Sequence, residues 1–149
     1  MATDIYCYAE TLNEAKQWQA TNGHTFVMAT ATGNDPWPEM LPDFSGRNYA
    51  LFGLLAMGVA KVSYPFSFAQ RGFPKNASRE VTTIYLDRTD LHDASWLTRE
   101  ELEGKLGELM ILSDQRALAI RPHLVELLKE LPEHQGESKH QRIVFWFDG

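Results

Sequence analysis

The alternation of apolar and polar residues is clearest at the two ends of the chain. From Asp4 to Ala9, the side chains of Ile5, Cys7 and Ala9 point one way and those of Tyr6, Tyr8 and Glu10 the other. A period of two predicts a strand with one buried face. Asn13 and Glu14 interrupt the pattern, and Lys16 to Thr21, centred on Trp18, predicts a second strand across a hairpin turn. Asn22-Gly23 is the next turn signal, since both residues tolerate positive φ. His24 to Thr30 is β-rich and predicts a third strand. At the far end, Gln141 to Asp148 sets Ile143, Phe145 and Phe147 on one face and Val144 and Trp146 on the other. A strand apolar on both faces belongs in the interior of a sheet.

Helical patterns lie between these strands. Gly33 to Gly46 carries Pro36, Pro38 and Pro42, which forbid regular structure across much of it. Arg47 to Val59 reads as a helix apolar around most of its circumference, hence a buried one, with Ser45 or Asn48 as its cap and Gly58 as its stop. Lys61 to Lys75 is irregular and rich in aromatics: Tyr64, Phe66, Phe68 and Phe73. Val81 to Leu86 has β character, yet Ser78-Arg79-Glu80 could equally open a short helix there. Asp87 to Ser95 is polar and turn-like. Thr98 and Glu101 match a capping box ahead of a helix from Arg99 to about Leu112, weakened by Gly104 and Gly107. Asp114 to Leu131 is helical, with Pro122 restarting or kinking it, and Glu133 to Lys139 is a loop. No repeat, low-complexity tract or linker is visible. The pattern predicts one α+β domain over residues 1–149. Its antiparallel or mixed sheet would hold the N- and C-terminal strands side by side, packed by three or so helices.

Composition narrows the chemistry. The chain has 149 residues, 44% of them hydrophobic and 23% charged, as in ordinary globular domains. Its net charge of −6 argues against a general nucleic-acid coat but leaves room for a local basic pocket. Cys7 is the single cysteine, so neither an intrachain disulfide nor a cysteine-based zinc site is expected. No apolar run is long enough for a membrane span, and the N-terminus shows no secretory pattern, so a reducing cytoplasm is the expectation. Phosphate-loop, dinucleotide, serine-hydrolase and zinc-protease motifs are all missing. Asn76-Ala77-Ser78 matches a glycosylation acceptor, which has no consequence without secretion.

Four constellations could carry chemistry. Ser45-Gly46-Arg47-Asn48-Tyr49 sets an arginine at a helix start, where unpaired N–H groups and a bidentate guanidinium suit phosphate or carboxylate. The plain alternative is a capped helix with a surface arginine. In Asp90-Leu91-His92-Asp93-Ala94-Ser95-Trp96, His92 could act as general base or ligand, oriented by Asp90 or Asp93. The alternative is a turn in which Asp and Ser bond the backbone and Trp96 plugs the core. Asp4, Tyr6, Tyr8 and Glu10 share one strand face. Asp4 and Glu10 would stand about 20 Å apart on a strand, too far to act as one acid/base pair. The alternative is a partly solvated face with tyrosine hydroxyls at its rim. Gln70-Arg71-Gly72-Phe73-Pro74 presents Arg71 on a turn, to meet Arg47 at an anion or simply to face solvent.

These segments carry a resemblance. The opening Met1-Ala2-Thr3-Asp4-Ile5-Tyr6-Cys7-Tyr8-Ala9-Glu10 resembles a family of small, largely uncharacterised bacteriophage and prophage proteins, whose chains typically begin Met-Gly-Cys-Asp-Ile-His. The likeness continues through Phe44 to Phe52 with its Ser-Gly-Arg-Asn-Tyr segment, through Arg71-Gly72-Phe73-Pro74, through His92 to Thr98, and into Arg142 to Asp148. Thr3 and Tyr6 stand where that family has Cys and His, so no metal or thiol role follows at those positions. The resemblance implies a phage protein acting in the host cytoplasm in an accessory role; small phage proteins of that kind often counter host defence, sometimes by sequestering nucleotide signals, and that last step is analogy.

The leading expectation is therefore a non-catalytic protein that sequesters a small anionic, nucleotide-like ligand. Asp4, Tyr6, Arg47, Asn48, Arg71, His92, Ser95 and Trp96 would line its site, with no cofactor or metal. The guanidinium groups would meet phosphate, and Trp96, Tyr6 or Phe73 would stack on a base. Two further readings stand beside it: a phosphoester-type hydrolase using His92 with Asp4 and Asp90, and an inhibitor that blocks a host protein through its aromatic surface. A homo-oligomer stays open, because Tyr64 to Phe73 could be a subunit contact as readily as a pocket wall.

Overall fold

The computed structural model describes residues 4–21, 49–87 and 91–148. Four strands, β1 (Asp4–Leu12), β2 (Trp18–Ala20), β3 (Leu91–Thr98) and β4 (Gln141–Asp148), form one antiparallel sheet in the order β2-β1-β4-β3. Among the described residues, four α-helices accompany it: α1 (Tyr49–Leu55), α2 (Arg79–Leu86), α3 (Arg99–Ile111) and α4 (Gln115–Glu130). The architecture is α+β, and the strands nearest the two chain ends are neighbours. β1 and β4 pair continuously from Asp4 opposite Asp148 to Thr11 opposite Gln141.

The hairpin between β1 and β2 closes on Asn13, whose side-chain oxygen accepts the Gln17 N–H at 2.9 Å, while its carbonyl accepts from Lys16. This Asx-type turn is a local alternative to continued ladder pairing. Lys16 adopts φ 63 within it.

On one sheet face, Ile5, Cys7, Ala9, Leu97, Ile143, Phe145 and Phe147 pack under α1, α3 and α4, through residues such as Phe52, Leu102, Leu109 and Leu124. Each fully buried leucine or phenylalanine there contributes about 1.5–3 kcal/mol. The second face is buried over part of its length. Tyr8, Val144 and Trp146 lie beneath Val81 and Ile84 of α2, with Phe73 stacked on Tyr85 at 4.1 Å. The expected partly solvated β1 face is seen at its start, where Asp4 is exposed and Tyr6 half-buried, whereas Tyr8 and Glu10 further along are both 0% exposed. The cause is α2 and the segment before it, which cover that part of the face.

α2 resolves the two readings of residues 78–86 in favour of the helix. The Ser78 hydroxyl accepts the Val81 N–H at 3.2 Å as an N-cap. Val81 and Ile84, three apart, are its buried residues, a spacing that a helix puts on one side and a strand would split between two.

Residues 91–95 depart from the expected turn, because β3 begins at Leu91. Among the described strands it lies at the edge of the sheet, with a bulge between His92 and Ser95, where Asp93 takes φ 54. Edge strands tolerate polar residues on their open side, and bulges break the alternation that identifies strands. Two expected features agree closely. Thr98 and Glu101 form the capping box, with Glu101 N–H donating to Thr98 Oγ1 at 3.1 Å and Thr98 N–H to Glu101 Oε1 at 3.0 Å. Gly58 takes φ 93 just after α1. Pro122 does not restart the last helix as the sequence allows: α4 runs through it from Gln115 to Glu130 as one element. The expected third strand at 24–30, the proline-rich connection, and Ser45, Arg47, Asn48 and Asp90 lie outside the described residues. Among the described residues, no helix is long and apolar enough to cross a membrane.

Candidate functional site

Because β1 and β4 run antiparallel in this register, Glu10 stands directly opposite Arg142. Glu10 is 0% and Arg142 2% exposed. Arg142 Nε donates to Glu10 Oε1 at 2.7 Å, and Nη2 lies 2.7 Å from the same oxygen. Glu10 Oε2 accepts the Ser78 N–H at 2.6 Å. Arg142 Nη1 donates to Asn76 Oδ1 at 3.1 Å, and Nη2 reaches the Asn76 carbonyl at 3.5 Å. The guanidinium carbon sits 4.0 Å from the Trp18 ring centroid and 5.4 Å from that of Trp96. Burial pulls the Arg142 pKa below its usual value, and the charge and hydrogen bonds of Glu10 oppose that pull.

Trp96 carries a second arginine. The Arg71 guanidinium carbon lies 4.5 Å from the Trp96 ring centroid, so Trp18, Arg142, Trp96 and Arg71 form an alternating series of indoles and guanidiniums. Arg71 also pairs bidentately with Glu101, with Nη1 donating to Oε1 at 2.8 Å and Nη2 to Oε2. Burial works to raise the Glu101 pKa, but the Arg71 hydrogen bond and charge and the Thr98 hydrogen bonds outweigh it, and the net shift is downward. The Arg71 N–H donates to Ser95 Oγ at 3.0 Å. The structure thus brings Arg71, Ser95 and Trp96 together. It commits the Arg71 guanidinium to a carboxylate and the Ser95 hydroxyl to a main-chain donor.

Asp4, Tyr6 and His92 belong to the other end of the sheet. Asp4 is paired in register with Asp148, and the Tyr6 hydroxyl donates to Asp148 Oδ2 at 3.4 Å. His92 pairs with Phe147, and its Nδ1 lies 2.7 Å from Asp93 Oδ2. Phe147 and Val144, the β4 partners of His92 and Trp96, are separated by about 10 Å of strand. The described members of the expected site therefore form two groups. Among the described residues, no cluster of three or more His, Cys, Asp or Glu side chains could hold a metal ion.

Neither of two clefts lined by described residues includes Asp4, Tyr6, Arg71, His92, Ser95 or Trp96. One, of about 390 Å³, lies between Arg99, Glu103 and the loop at Glu133, His134 and Ser138. Its arginine and histidine already pair with the protein: Arg99 with Gln141 at 3.0 Å and with Glu103 at 3.7 Å, and His134 with the Glu137 carbonyl at 2.9 Å. The other, of about 430 Å³, opens between the β1–β2 hairpin and the start of α2, among Lys16, Trp18, Asn76, Ser78, Arg79 and Glu80. Among the described residues, neither Lys16 nor Arg79 makes a salt bridge. Its two cations against one carboxylate give a locally positive lining on a chain of net charge −6.

Sequence reasoning did not single out Lys16, Asn76, Arg79 or Arg142. One signal was present: Glu10 and Arg142 occupy matching places in the two strongest strand patterns, where antiparallel neighbours would bring opposite charges face to face. No protein-family model, curated protein or solved structure matches this chain.

Proposed function

We propose that this chain is a phage-encoded accessory protein that binds and sequesters a small anionic ligand in the host cytoplasm, without turning it over. The observation that carries the reading is the cleft beside the hairpin, where Lys16 and Arg79, free of salt bridges among the described residues, stand next to the Trp18 indole. Cations outside a salt bridge can meet a phosphate or carboxylate, and an indole offers a face for a base. Arg71, by contrast, is neutralised by Glu101, which shifts the reading away from the Arg71 turn. The resemblance to small phage and prophage proteins supports the biological setting. Calorimetry with a panel of linear and cyclic nucleotides tests it: measurable heat with the ligand recovered intact supports the reading, and no heat from any member with folded protein removes it.

A second reading, a phosphoester-type hydrolase, is favoured by the contact between His92 Nδ1 and Asp93 Oδ2 at 2.7 Å, since a carboxylate on one ring nitrogen prepares the other for proton transfer. Product formation that disappears in His92→Ala would establish it.

A further inference from the structure

We infer that the cleft between the hairpin and α2 is a site for a single nucleotide unit, a monophosphate carried with an aromatic base, and that the buried Glu10–Arg142 pair positions its two walls. The inference rests on the ligand-binding reading above and names the site and the ligand class.

The two walls come from distant parts of the chain. The hairpin supplies Lys16 and Trp18, and residues 76–80 supply Asn76 and Arg79. Arg142 touches both walls, stacking under Trp18 at 4.0 Å and donating to Asn76 Oδ1 at 3.1 Å. Glu10 holds the second wall again through the Ser78 N–H at 2.6 Å. Arginine has only donors, so the Asn76 atom that faces it is the amide oxygen. The Asn76 amide nitrogen is thereby left as a donor at the rim of the cleft, and it makes no hydrogen bond among the described residues.

These groups select the ligand. Lys16, Arg79 and the Asn76 amide offer donors to phosphate oxygens, and Glu80 limits the tolerated negative charge. A volume of about 430 Å³ lies in the lower part of the range for small-molecule sites, roughly 300–1,000 Å³. One indole and one pair of cations match one base and one phosphate; a cyclic dinucleotide brings two of each. Walls fastened to a buried pair lose little freedom when the ligand arrives, which favours tight holding.

The test is calorimetry on the full chain with adenosine and guanosine monophosphates, their 3′,5′-cyclic forms, a cyclic dinucleotide and inorganic phosphate. Mononucleotides should bind best. Lys16→Ala and Arg79→Ala should each weaken binding about tenfold, the worth of one charge-assisted hydrogen bond, while Lys129→Ala leaves it unchanged. Arg142→Lys keeps a charge beside Glu10 but loses the reach to Asn76. It should weaken binding while circular dichroism stays native, and Asn76→Ala should then cause no additional loss in the Arg142→Lys background. A purely structural role for Arg142 would leave the two effects additive and would overturn the positioning claim, as would full affinity in Asn76→Ala alone. Nucleotide binding that survives Lys16→Ala with Arg79→Ala would overturn this site and leave the ligand-binding reading standing. Tighter binding of the cyclic dinucleotide, or of phosphate alone, would overturn the ligand class. No binding of any probe would remove the ligand-binding reading itself.

Discussion

Glu10 and Arg142 meet at 2.7 Å across the two strands nearest the chain ends, and both are shut off from solvent. Burying two charges costs several kcal/mol each in lost hydration, which only dense hydrogen bonding recovers. Here the carboxylate also takes the Ser78 N–H, and the guanidinium also holds Asn76 and lies against Trp18 and Trp96. The pair also defines register. A slip of one residue between β1 and β4 would leave each charge buried without the other.

Removing one partner should therefore cost far more than removing both. Glu10→Leu and Arg142→Met are each expected to destabilise the fold by about 3–5 kcal/mol, because the remaining charge stays buried and unpaired. The double variant should lose much less than the sum. Urea denaturation of the four proteins in the cycle measures the coupling, and additive losses would show that the pair is not a unit.

Acid should weaken the contact between Arg71 and Glu101. The folded-state pKa of Glu101 is depressed below its ordinary 4.5, with burial opposing and the Arg71 and Thr98 hydrogen bonds prevailing. A depressed carboxylate adds stability above its unfolded pKa and loses it as pH falls through the folded value. The urea midpoint should fall below pH 4.5, and Glu101→Gln should flatten that acid limb. An unchanged limb in the variant would assign the acid sensitivity to other carboxylates.

Two glycines should respond to alanine in opposite directions. A Cβ on Gly53 would lie 2.4 Å from Val62 Cγ1 and 2.8 Å from the Val62 carbonyl oxygen, so Gly53→Ala should cost about 1–3 kcal/mol by overpacking. Gly107 sits in α3 with nothing within 4 Å of that position, so Gly107→Ala should stabilise by about 0.5–1 kcal/mol. Thermal melts of the two variants check both signs.

Cys7 should be inert in the folded protein. It is 0% exposed, and burial pushes its thiol pKa well above the ordinary value. A chromogenic disulfide reagent should label it only as fast as the chain unfolds, and the label should appear at once in denaturant. Rapid labelling under native conditions would mean that β1 opens locally.

Legibility followed the range of the interactions. The alternation of Ile5, Cys7 and Ala9, the two apolar faces of β4, and the Thr98–Glu101 capping box each depend on residues close in sequence, so the chain itself displays them. β3 was not legible, because its polar outer residues and the bulge at Asp93 erase the period of two that identifies a strand. Arg71 read as an exposed donor, since nothing near it in sequence announces Glu101, thirty residues on. The Lys16–Trp18–Arg79 cleft was hidden for the same reason: its walls are separated by most of the first half of the chain.

By itself, then, the sequence determined the α+β class, the neighbouring terminal strands and the helix boundaries that local capping sets, because periodicity and capping act over a few residues. The tertiary structure alone decided that Glu10 and Arg142 would share one buried bond, that Arg71 would spend its charge on Glu101, and that Lys16 and Arg79 would face a common cleft. Those pairings depend on which strand lies beside which and on what α2 covers, and both follow from packing the whole chain at once.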